Sequence, residues 1–228
     1  MEDKIEKILS IPKSFWVSWK LIGFREAFKL PIMVRYNVCC KSLRGSVITK
    51  SGVIHSMIQI GFGKVGVFDK RYQRSILQID GTIVIDGVRN SVFLGHGSRL
   101  SIANNGVVDF GRNFNNTAMI TIVCKDAITF GDNVTTSWNV LVMDTDWHSV
   151  RNMETDEIQE MTKPISIGSN VWLCTRCVVL KGSVIPNGCI IGANSLVSKH
   201  YEASNAMIAG NPGRIIKENV QFVNVREI

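Results

Sequence analysis

An aliphatic residue recurs at every sixth position in the C-terminal half of the chain. The positions are Ile167, Leu173, Val179, Ile185, Ile191 and Val197. A compact side chain stands four residues after each of the first five, at Val171, Cys177, Ser183, Cys189 and Ser195. A period of six fits neither an amphipathic helix nor an alternating strand. It predicts a chain wound as a triangular prism, in which each hexad forms one flat face and one turn.

The same phase extends toward the N-terminus, although it slips. The segments Phe110-Gly-Arg-Asn113 and Phe130-Gly-Asp-Asn133 resemble Ile167-Gly-Ser-Asn170 in composition and order. Three hexads make a coil of eighteen residues, so about seven coils fit the chain once one irregular segment is removed. Each coil buries its apolar side only against its neighbours, and the two ends of the stack therefore need caps.

We predict three regions from this pattern. Residues 1–45 form a basic helical segment, residues 46–200 form the prism, and residues 201–228 form a C-terminal tail or cap. Inside the prism, residues 149–164 are polar and net acidic and break the repeat. A long loop expelled from a compact repeat is usually functional, so we expect it to border a site.

Composition and charge narrow the classes of function. The net charge is +7, of which +5 belongs to residues 1–45, so the prism itself is only weakly basic. A nucleic-acid-binding protein would carry a basic stripe with interleaved aromatic residues, and none is visible along the repeat. No stretch approaches the roughly 20 apolar residues of a membrane-spanning helix. The N-terminus also lacks the apolar core of a signal peptide, which predicts a cytoplasmic protein.

The aromatic and basic segment at residues 14–31 (SFWVSWKLIGFREAFKLP) has two interpretations. It can cap the first coil, which the stack requires. It can also lie on an anionic membrane surface, which would make the protein peripheral at the inner membrane. The requirement for a cap favours the first interpretation and leaves the second open.

The candidate catalytic group lies immediately before the expelled loop. His148 follows Asp144 and Asp146 at intervals of four and two residues. Histidine is the usual general base near neutral pH, and carboxylates can fix its tautomer and stabilise the imidazolium. In an extended segment the three side chains project to one side, because side chains alternate along a strand. Trp147 and Asn139 are the candidate acceptor-binding residues of the same stretch.

The C-terminal half resembles the hexapeptide-repeat acyltransferases, in particular the sugar O-acetyltransferases of the galactoside, maltose and capsule or O-antigen types. The matching blocks are Ile167-Gly-Ser-Asn-Val-Trp172, Ile191-Gly-Ala-Asn-Ser-Leu-Val-Ser-Lys199 and Ala209-Gly-Asn-Pro-Gly-Arg214. The resemblance implies an all-β fold, a left-handed parallel β-helix with a helical N-terminal cap and an ejected loop. It also implies a homotrimer whose active sites lie between neighbouring subunits.

The resemblance further implies acetyl-CoA as co-substrate, no metal, and His148 as the base that deprotonates an acceptor hydroxyl. Residues at matching positions would bind the cofactor: Trp172, Thr175, Gly192, Ala193, Ser198, Lys199, Arg214 and Lys217. One family feature lacks a clear counterpart. Some relatives steady the oxyanion with an asparagine on an earlier coil, but Asn115 and Asn116 are out of register with that position.

The predicted function is O-acetylation of a saccharide hydroxyl in surface polysaccharide biosynthesis. N-acetylation of a nucleotide-linked amino sugar is the alternative, because an amine acceptor needs the same base. A zinc-dependent hydratase on this fold would need three convergent histidines, and no suitable set is visible in the sequence. Cys174 and Cys177 form one CxxC pair, but no second pair is present to complete a four-ligand zinc site. A scaffold β-helix without activity predicts that replacing His148 has no effect.

Overall fold

The structure is a computed structural model that describes residues 2–63, 65–70 and 72–223. Three short helices come first, at Glu2–Leu9 (α1), Ile11–Leu21 (α2) and Phe24–Ala27 (α3). The rest of the described chain winds through three parallel sheets, which form the three faces of a prism. Among the described residues, none of the helices is both long enough and apolar enough to cross a bilayer.

Each face receives one strand from each coil. Face 1 contains β1 (Ile32–Val34), β4 (Ile58–Phe62), β7 (Val92–Gly95), β10 (Phe114–Asn116), β13 (Thr135–Thr136), β16 (Trp172–Leu173), β19 (Ile190–Ile191), β21 (Met207–Ala209) and the antiparallel β22 (Arg214–Lys217). Face 2 contains β2 (Cys39–Leu43), β5 (Ile76–Ile79), β8 (Arg99–Ile102), β11 (Thr121–Cys124), β14 (Leu141–Met143), β17 (Val178–Leu180) and β20 (Leu196–Val197). Face 3 contains β3 (Ser46–Thr49), β6 (Thr82–Ile85), β9 (Val107–Phe110), β12 (Ala127–Phe130), β15 (Ile165–Ile167) and β18 (Val184–Ile185). The fold is the predicted left-handed parallel β-helix with helices at its N-terminal end.

The hexad pattern marks the inside of the prism. All eleven repeat positions noted in the sequence are at most 1% exposed. The spacing of eighteen residues holds only in the last coils, where Trp172 pairs with Ile190. Further upstream Thr121 pairs with Leu141, a spacing of twenty, because the strands there are up to four residues long. Longer strands therefore explain why the phase slips toward the N-terminus.

One corner shows why the repeat uses glycine and asparagine. Asn113, Asn133 and Asn170 stack there, all with φ between 57° and 59°, a left-handed conformation that asparagine tolerates. Their side-chain amides form a ladder of hydrogen bonds, each 3.1 Å long. The neighbouring Gly131 has no room for a side chain, since a Cβ would lie 2.5 Å from the backbone nitrogen of Ser169.

The predicted region boundaries need correction. The helical segment ends at Ala27 and not near residue 45, because the chain turns at Pro31 and enters β1 at Ile32. The stack also continues past residue 200, since β21 pairs in parallel with β19. A second interruption, between the end of β4 at Phe62 and the start of β5 at Ile76, was not predicted, because the hexad phase is blurred in this part of the sequence.

Helix α2 covers the open edge of the first strand. The Ser14 hydroxyl accepts a hydrogen bond from the backbone N–H of Val34 at 3.0 Å, and Ser18 accepts one from Ile32 at 3.2 Å. Val17 and Leu21 on the same side of the helix are buried. The helix thus caps the stack by satisfying backbone groups that an edge strand would leave free.

Candidate active site

The expelled loop is a hairpin that begins earlier than predicted. The chain leaves the prism after Met143 on face 2 and rejoins it at Ile165 on face 3. The hairpin therefore comprises residues 144–164 and not only 149–164. Its stem is closed by backbone hydrogen bonds: Lys163 N–H donates to the Asp144 carbonyl (3.0 Å) and Asp146 N–H to that of Met161 (3.0 Å). Gln159 N–H donates to the carbonyl of Val150 at 2.8 Å, farther along the hairpin.

His148 lies on the outgoing arm of this hairpin, between two of those hydrogen bonds. Its backbone is fixed by the contacts at Asp146 and Val150 on either side. Its side chain is exposed and forms no hydrogen bond with any residue that the structure describes. The imidazole is therefore held in place through its backbone while both ring nitrogens stay available to substrates.

Asp144 does not support His148. It is fully buried, and its carboxylate accepts hydrogen bonds from the backbone N–H groups of Lys125 (2.8 Å) and Asp126 (2.9 Å). The Cys124 thiol also donates to the Asp144 carboxylate at 3.5 Å. Burial raises the pKa of this thiol most, and the negative charge of Asp144 raises it further. The carboxylate therefore fastens the base of the hairpin to the turn of the preceding coil.

Asp146 points to a different partner. Its carboxylate lies 2.7 Å from the Lys181 ammonium group, which also donates to the backbone carbonyl of Glu160. The expectation that both aspartates project beside His148 from one extended segment is wrong. The strand ends at Met143, and Trp147 has a φ of 59°, so the regular alternation of side chains is lost.

Trp147 forms an exposed platform next to His148. Its side chain is 49% exposed, and the Lys125 ammonium group lies 5.2 Å from its ring centroid. Lys125 also contacts the Met161 sulfur at 3.7 Å, so the lysine joins the two strands of the hairpin to the preceding coil. Asn139 lies away from this platform, in a turn with φ of 59°, and this backbone conformation accounts for the residue type there.

A groove of about 500 Å³ runs between the hairpin and the coils that follow it. Its lining residues are Gln159, Glu160, Lys163, Lys181, Gly182 and Ser198. Ser198 is one of the predicted cofactor residues, and the adjacent Lys199 is exposed, with its ammonium group 5.2 Å from the Tyr201 ring. The structure thus brings the hairpin of His148 together with one part of the predicted cofactor site.

The other predicted cofactor residues lie elsewhere on the prism. Two corners border face 2: the loop corner, residues 144–164, 181–183 and 198–199, and the opposite corner, residues 137–140, 174–177 and 192–195. Thr175, Gly192 and Ala193 belong to the opposite corner. The Thr175 hydroxyl donates to the backbone carbonyl of Trp138 at 2.9 Å, and Ala193 is exposed.

Trp172 lies on face 1 and reaches toward the opposite corner. Its indole N–H donates to the Ser137 hydroxyl at 3.2 Å, and the Phe222 ring lies against it with centroids 4.8 Å apart. Arg214 and Lys217 lie on β22 at the end of face 1 and are exposed. Within the described part of the chain neither forms an ion pair, so both cations are free to bind phosphate groups.

One copy of the chain does not bring the two groups of residues together. A hexad of extended chain measures roughly 20 Å, and face 2 separates the loop corner from the opposite corner by about that width. His148 and Ser198 therefore lie at one edge of the face, and Thr175, Gly192 and Ala193 at the other.

The asparagines considered for the oxyanion have different surroundings. Asn116 is fully buried, and its amide donates to the Thr136 hydroxyl (2.8 Å) and to the Ser137 carbonyl (3.0 Å). These internal bonds exclude it as a donor to a substrate. Asn115 lies on face 1 and lines a separate polar groove with Phe93 and Thr135.

The cysteines are poorly suited to be nucleophiles. All six are free thiols. Burial raises the pKa of Cys174 to about 11 and that of Cys177 to about 12, so both are protonated near neutral pH. A nucleophilic cysteine needs a lowered pKa, because the thiolate is the reactive form. The arrangement therefore favours direct transfer over a covalent acyl-cysteine.

Two residues of this site were not found from the sequence. Lys125 and Lys181 come from coils before and after the hairpin, twenty or more positions away from His148, and no local motif surrounds them. The six-residue register does not place Lys125 beside the base of the hairpin, because successive coils are twenty residues apart there and not eighteen.

Sequence comparison finds relatives among acetyltransferases. The chain is 35% identical over 131 residues to the galactoside O-acetyltransferase of Escherichia coli (strain K12), covering 58% of this chain and 60% of the relative. It is 31% identical over 132 residues to WbbJ of the same organism, named as a lipopolysaccharide biosynthesis O-acetyl transferase, covering 54% of this chain and 67% of the relative. The chain thus spans about three fifths of the first relative's length. No protein-family model matches the chain.

Two solved structures share the fold. The polySia-specific acetyltransferase NeuO gives a TM-score of 0.54 at 19% identity, covering 87% of this chain and 81% of NeuO. The polysialic acid O-acetyltransferase OatWY gives 0.52 at 22% identity, covering 85% and 90% of the two chains. At this level of identity the likeness is one of architecture.

Proposed function

The chain belongs to the hexapeptide-repeat acyltransferases, and we propose that it is an acetyl-CoA-dependent O-acetyltransferase that modifies a saccharide hydroxyl. The observation that carries the proposal is the placement of His148. Its imidazole is exposed, directly after Trp147 in sequence, on a hairpin fixed by backbone hydrogen bonds. The facing arm of that hairpin contributes Gln159, Glu160 and Lys163 to the groove. The O-acetyltransferase names of two relatives support oxygen as the acceptor atom.

The proposed reaction is direct transfer. His148 accepts the proton of the acceptor hydroxyl while that oxygen forms a bond to the thioester carbonyl carbon. The carbon–sulfur bond then breaks, and the proton passes from the imidazolium to the departing thiolate. General-base catalysis of this kind contributes roughly 10²–10⁴-fold to the rate. The raised thiol pKa values of Cys174 and Cys177 agree with a route that needs no protein thiolate.

The acceptor would bind against the Trp147 platform. An exposed indole can stack on the apolar face of a sugar ring, and Lys125 holds the indole in position from the other side. Asp146 and Lys181 would keep the hairpin closed over the groove rather than take part in proton transfer. Surface polysaccharide biosynthesis is the proposed context, as it is for the relative named for lipopolysaccharide biosynthesis.

The proposed cofactor site is divided between two subunits of a homotrimer. His148 and Ser198 on one chain are a face-width away from Thr175, Gly192 and Ala193 of the same chain. A neighbouring copy that places its opposite corner against the loop corner would complete the cleft. The free cations Lys199, Arg214 and Lys217 suit the phosphates of coenzyme A.

The experiment is an acceptor screen with isotopically labelled acetyl-CoA and mass spectrometry of the products. The panel contains neutral saccharides, acidic saccharides and nucleotide-linked amino sugars. Mild alkali releases an O-acetyl ester and leaves an N-acetyl amide intact. Alkali-labile label on a saccharide supports the proposal. Alkali-stable label on an amino sugar would overturn it in favour of N-acetylation, and no label on any acceptor would overturn the transferase assignment.

A further inference from the structure

Helix α2 buries two serines and exposes two tryptophans. Its buried side carries Ser14 and Ser18, whose hydroxyls bond the edge of β1, together with Val17 and Leu21. Its outward side carries two tryptophans, Trp16 and Trp19, which are 39% and 45% exposed. A helix on the surface of a soluble protein ordinarily turns its polar side to water. The two exposed indoles therefore indicate that this side of α2 is an interaction surface.

The tryptophans belong to a larger apolar surface. Phe24 and Phe28 of the adjoining segment are 56% and 68% exposed. Phe15, Trp19, Phe24 and Phe28 contact each other edge to face, with ring centroids 5.1–6.0 Å apart. We call Trp16, Trp19, Phe24 and Phe28 the aromatic face. Helix α1 extends it with Ile5, Ile8 and Leu9, each more than half exposed.

The rim of the aromatic face carries basic side chains. The Lys20 ammonium group lies 5.6 Å from the Trp19 ring centroid. Lys4 and Arg25 are exposed and form no ion pair with any described residue. The carboxylates within residues 4–31 are Glu6 and Glu26, and each is paired with a cation: Glu6 with Arg35 and Lys70, and Glu26 with Lys29.

We propose that the aromatic face binds the surface of an anionic lipid bilayer, with α1 and α2 lying in the plane of the interface. Indole rings prefer the boundary between headgroups and acyl chains, and the basic rim would pair with lipid phosphates. A surface with Trp at its centre and free Lys and Arg at its edge fits this partner in both chemistry and charge.

A second copy of the chain fits the surface less well. A two-fold contact centred on this face would place Lys20 and Arg25 of one copy near the same residues of the other, and Glu26, the described carboxylate next to Arg25, is already paired with Lys29. The lipid surface supplies the opposite charge directly. The aromatic face lies within residues 4–31 and shares no residue with the candidate active site, so lipid binding does not depend on the proposed catalytic activity.

The test is sedimentation of the full chain with vesicles of phosphatidylcholine alone or mixed with phosphatidylglycerol. We expect binding to the anionic vesicles that weakens at high salt and is accompanied by a blue shift of tryptophan emission. Trp16→Ser with Trp19→Ser should weaken binding by at least ~10-fold. Lys20→Glu with Arg25→Glu should weaken it on anionic vesicles by a similar factor of ~10.

Matched controls come from exposed residues on later coils, away from the helices. Met153→Ser removes an apolar side chain that is 89% exposed on the hairpin, and Arg99→Glu reverses an exposed charge on β8. Neither should change binding, and all variants should keep the melting temperature of the parent chain within a few degrees. Absence of sedimentation with either vesicle would overturn the proposal. So would unchanged binding of the tryptophan variant, or a lipid-free oligomer that this variant abolishes.

Discussion

The backbone N–H of Lys125 donates a 2.8 Å hydrogen bond to the carboxylate of Asp144, and this contact joins the turn of one coil to the start of the hairpin that carries His148. The second carboxylate oxygen is occupied by the N–H of Asp126. Asp144 is therefore a structural anion inside the prism, although its spacing from His148 resembles that of a catalytic partner.

Replacing Asp144 with Ala should destabilise the fold. Two half-buried backbone N–H groups would lose their acceptor, and hydrogen bonds to a charged group contribute about 1.5–3 kcal/mol each. We expect the free energy of unfolding to fall by about 3 kcal/mol or more, which corresponds to a melting temperature lower by roughly 6–12 °C. Glu154→Ala is the control, because its side chain is exposed on the hairpin and forms no ion pair with any described residue. Equal melting temperatures for the two variants would contradict the structural role of Asp144.

Lys181 should act on the position of the hairpin rather than on the chemistry. Lys181→Met removes both the ion pair with Asp146 and the hydrogen bond to the Glu160 carbonyl. We expect faster amide hydrogen exchange across residues 144–164 and a turnover lower by roughly 10-fold, because misplaced reactants lose orientation. Arg151→Met, which breaks an exposed pair at the hairpin tip, should leave both quantities near the parent values. Unchanged exchange in Lys181→Met would show that the pair does not hold the hairpin.

The thiols should react only at high pH. Burial raises the pKa of Cys174 to about 11, so this side chain is a neutral thiol at pH 8 and becomes a thiolate only as the pH rises toward that value. Alkylation by iodoacetamide, followed by peptide mass spectrometry, should therefore be slow at pH 8 and accelerate up to about pH 11. Free glutathione in the same tube provides the reference. Modification of Cys174 at pH 8 as fast as that of glutathione would reopen the acyl-cysteine route.

Mixing two inactive variants should restore activity if the site is shared. His148→Asn damages the loop corner, and Ala193→Trp blocks the opposite corner at an exposed position. In mixed trimers some interfaces combine an intact His148 from one chain with an intact Ala193 from its neighbour. Random mixing should restore roughly a quarter of the parent activity, because each interface draws its two halves from different subunits. No recovery in trimers shown to be mixed would mean that each chain holds a complete site.

The sequence predicted the prism well, because a six-residue period has few structural solutions. Every inward position of the last coils is buried as expected, and Gly131 and Asn133 occupy the turn that their residue types favour. The pattern was less informative where strands lengthen. The paired residues Thr121 and Leu141 are twenty positions apart, and the regular phase is lost there.

The site was predicted less completely than the fold. His148 was identified from its position before a break in the repeat, and the structure places it on the hairpin. The roles of Asp144 and Asp146 were inferred from the spacing of an extended strand, which does not exist beyond Met143. Lys125 and Lys181 were missed because they reach the hairpin through the stacking of coils, which a local motif does not record.

The most direct test of the account is the turnover of His148→Asn in acetyl transfer to the acceptor found by the screen. The side chain is exposed and forms no hydrogen bond with a described residue, so the variant should keep the melting temperature of the parent chain. We predict that kcat falls by roughly 10²–10⁴-fold while the affinity for acetyl-CoA, measured by calorimetry, stays within a small factor. A folded His148→Asn protein with the turnover of the parent would contradict the central claim that this imidazole is the base.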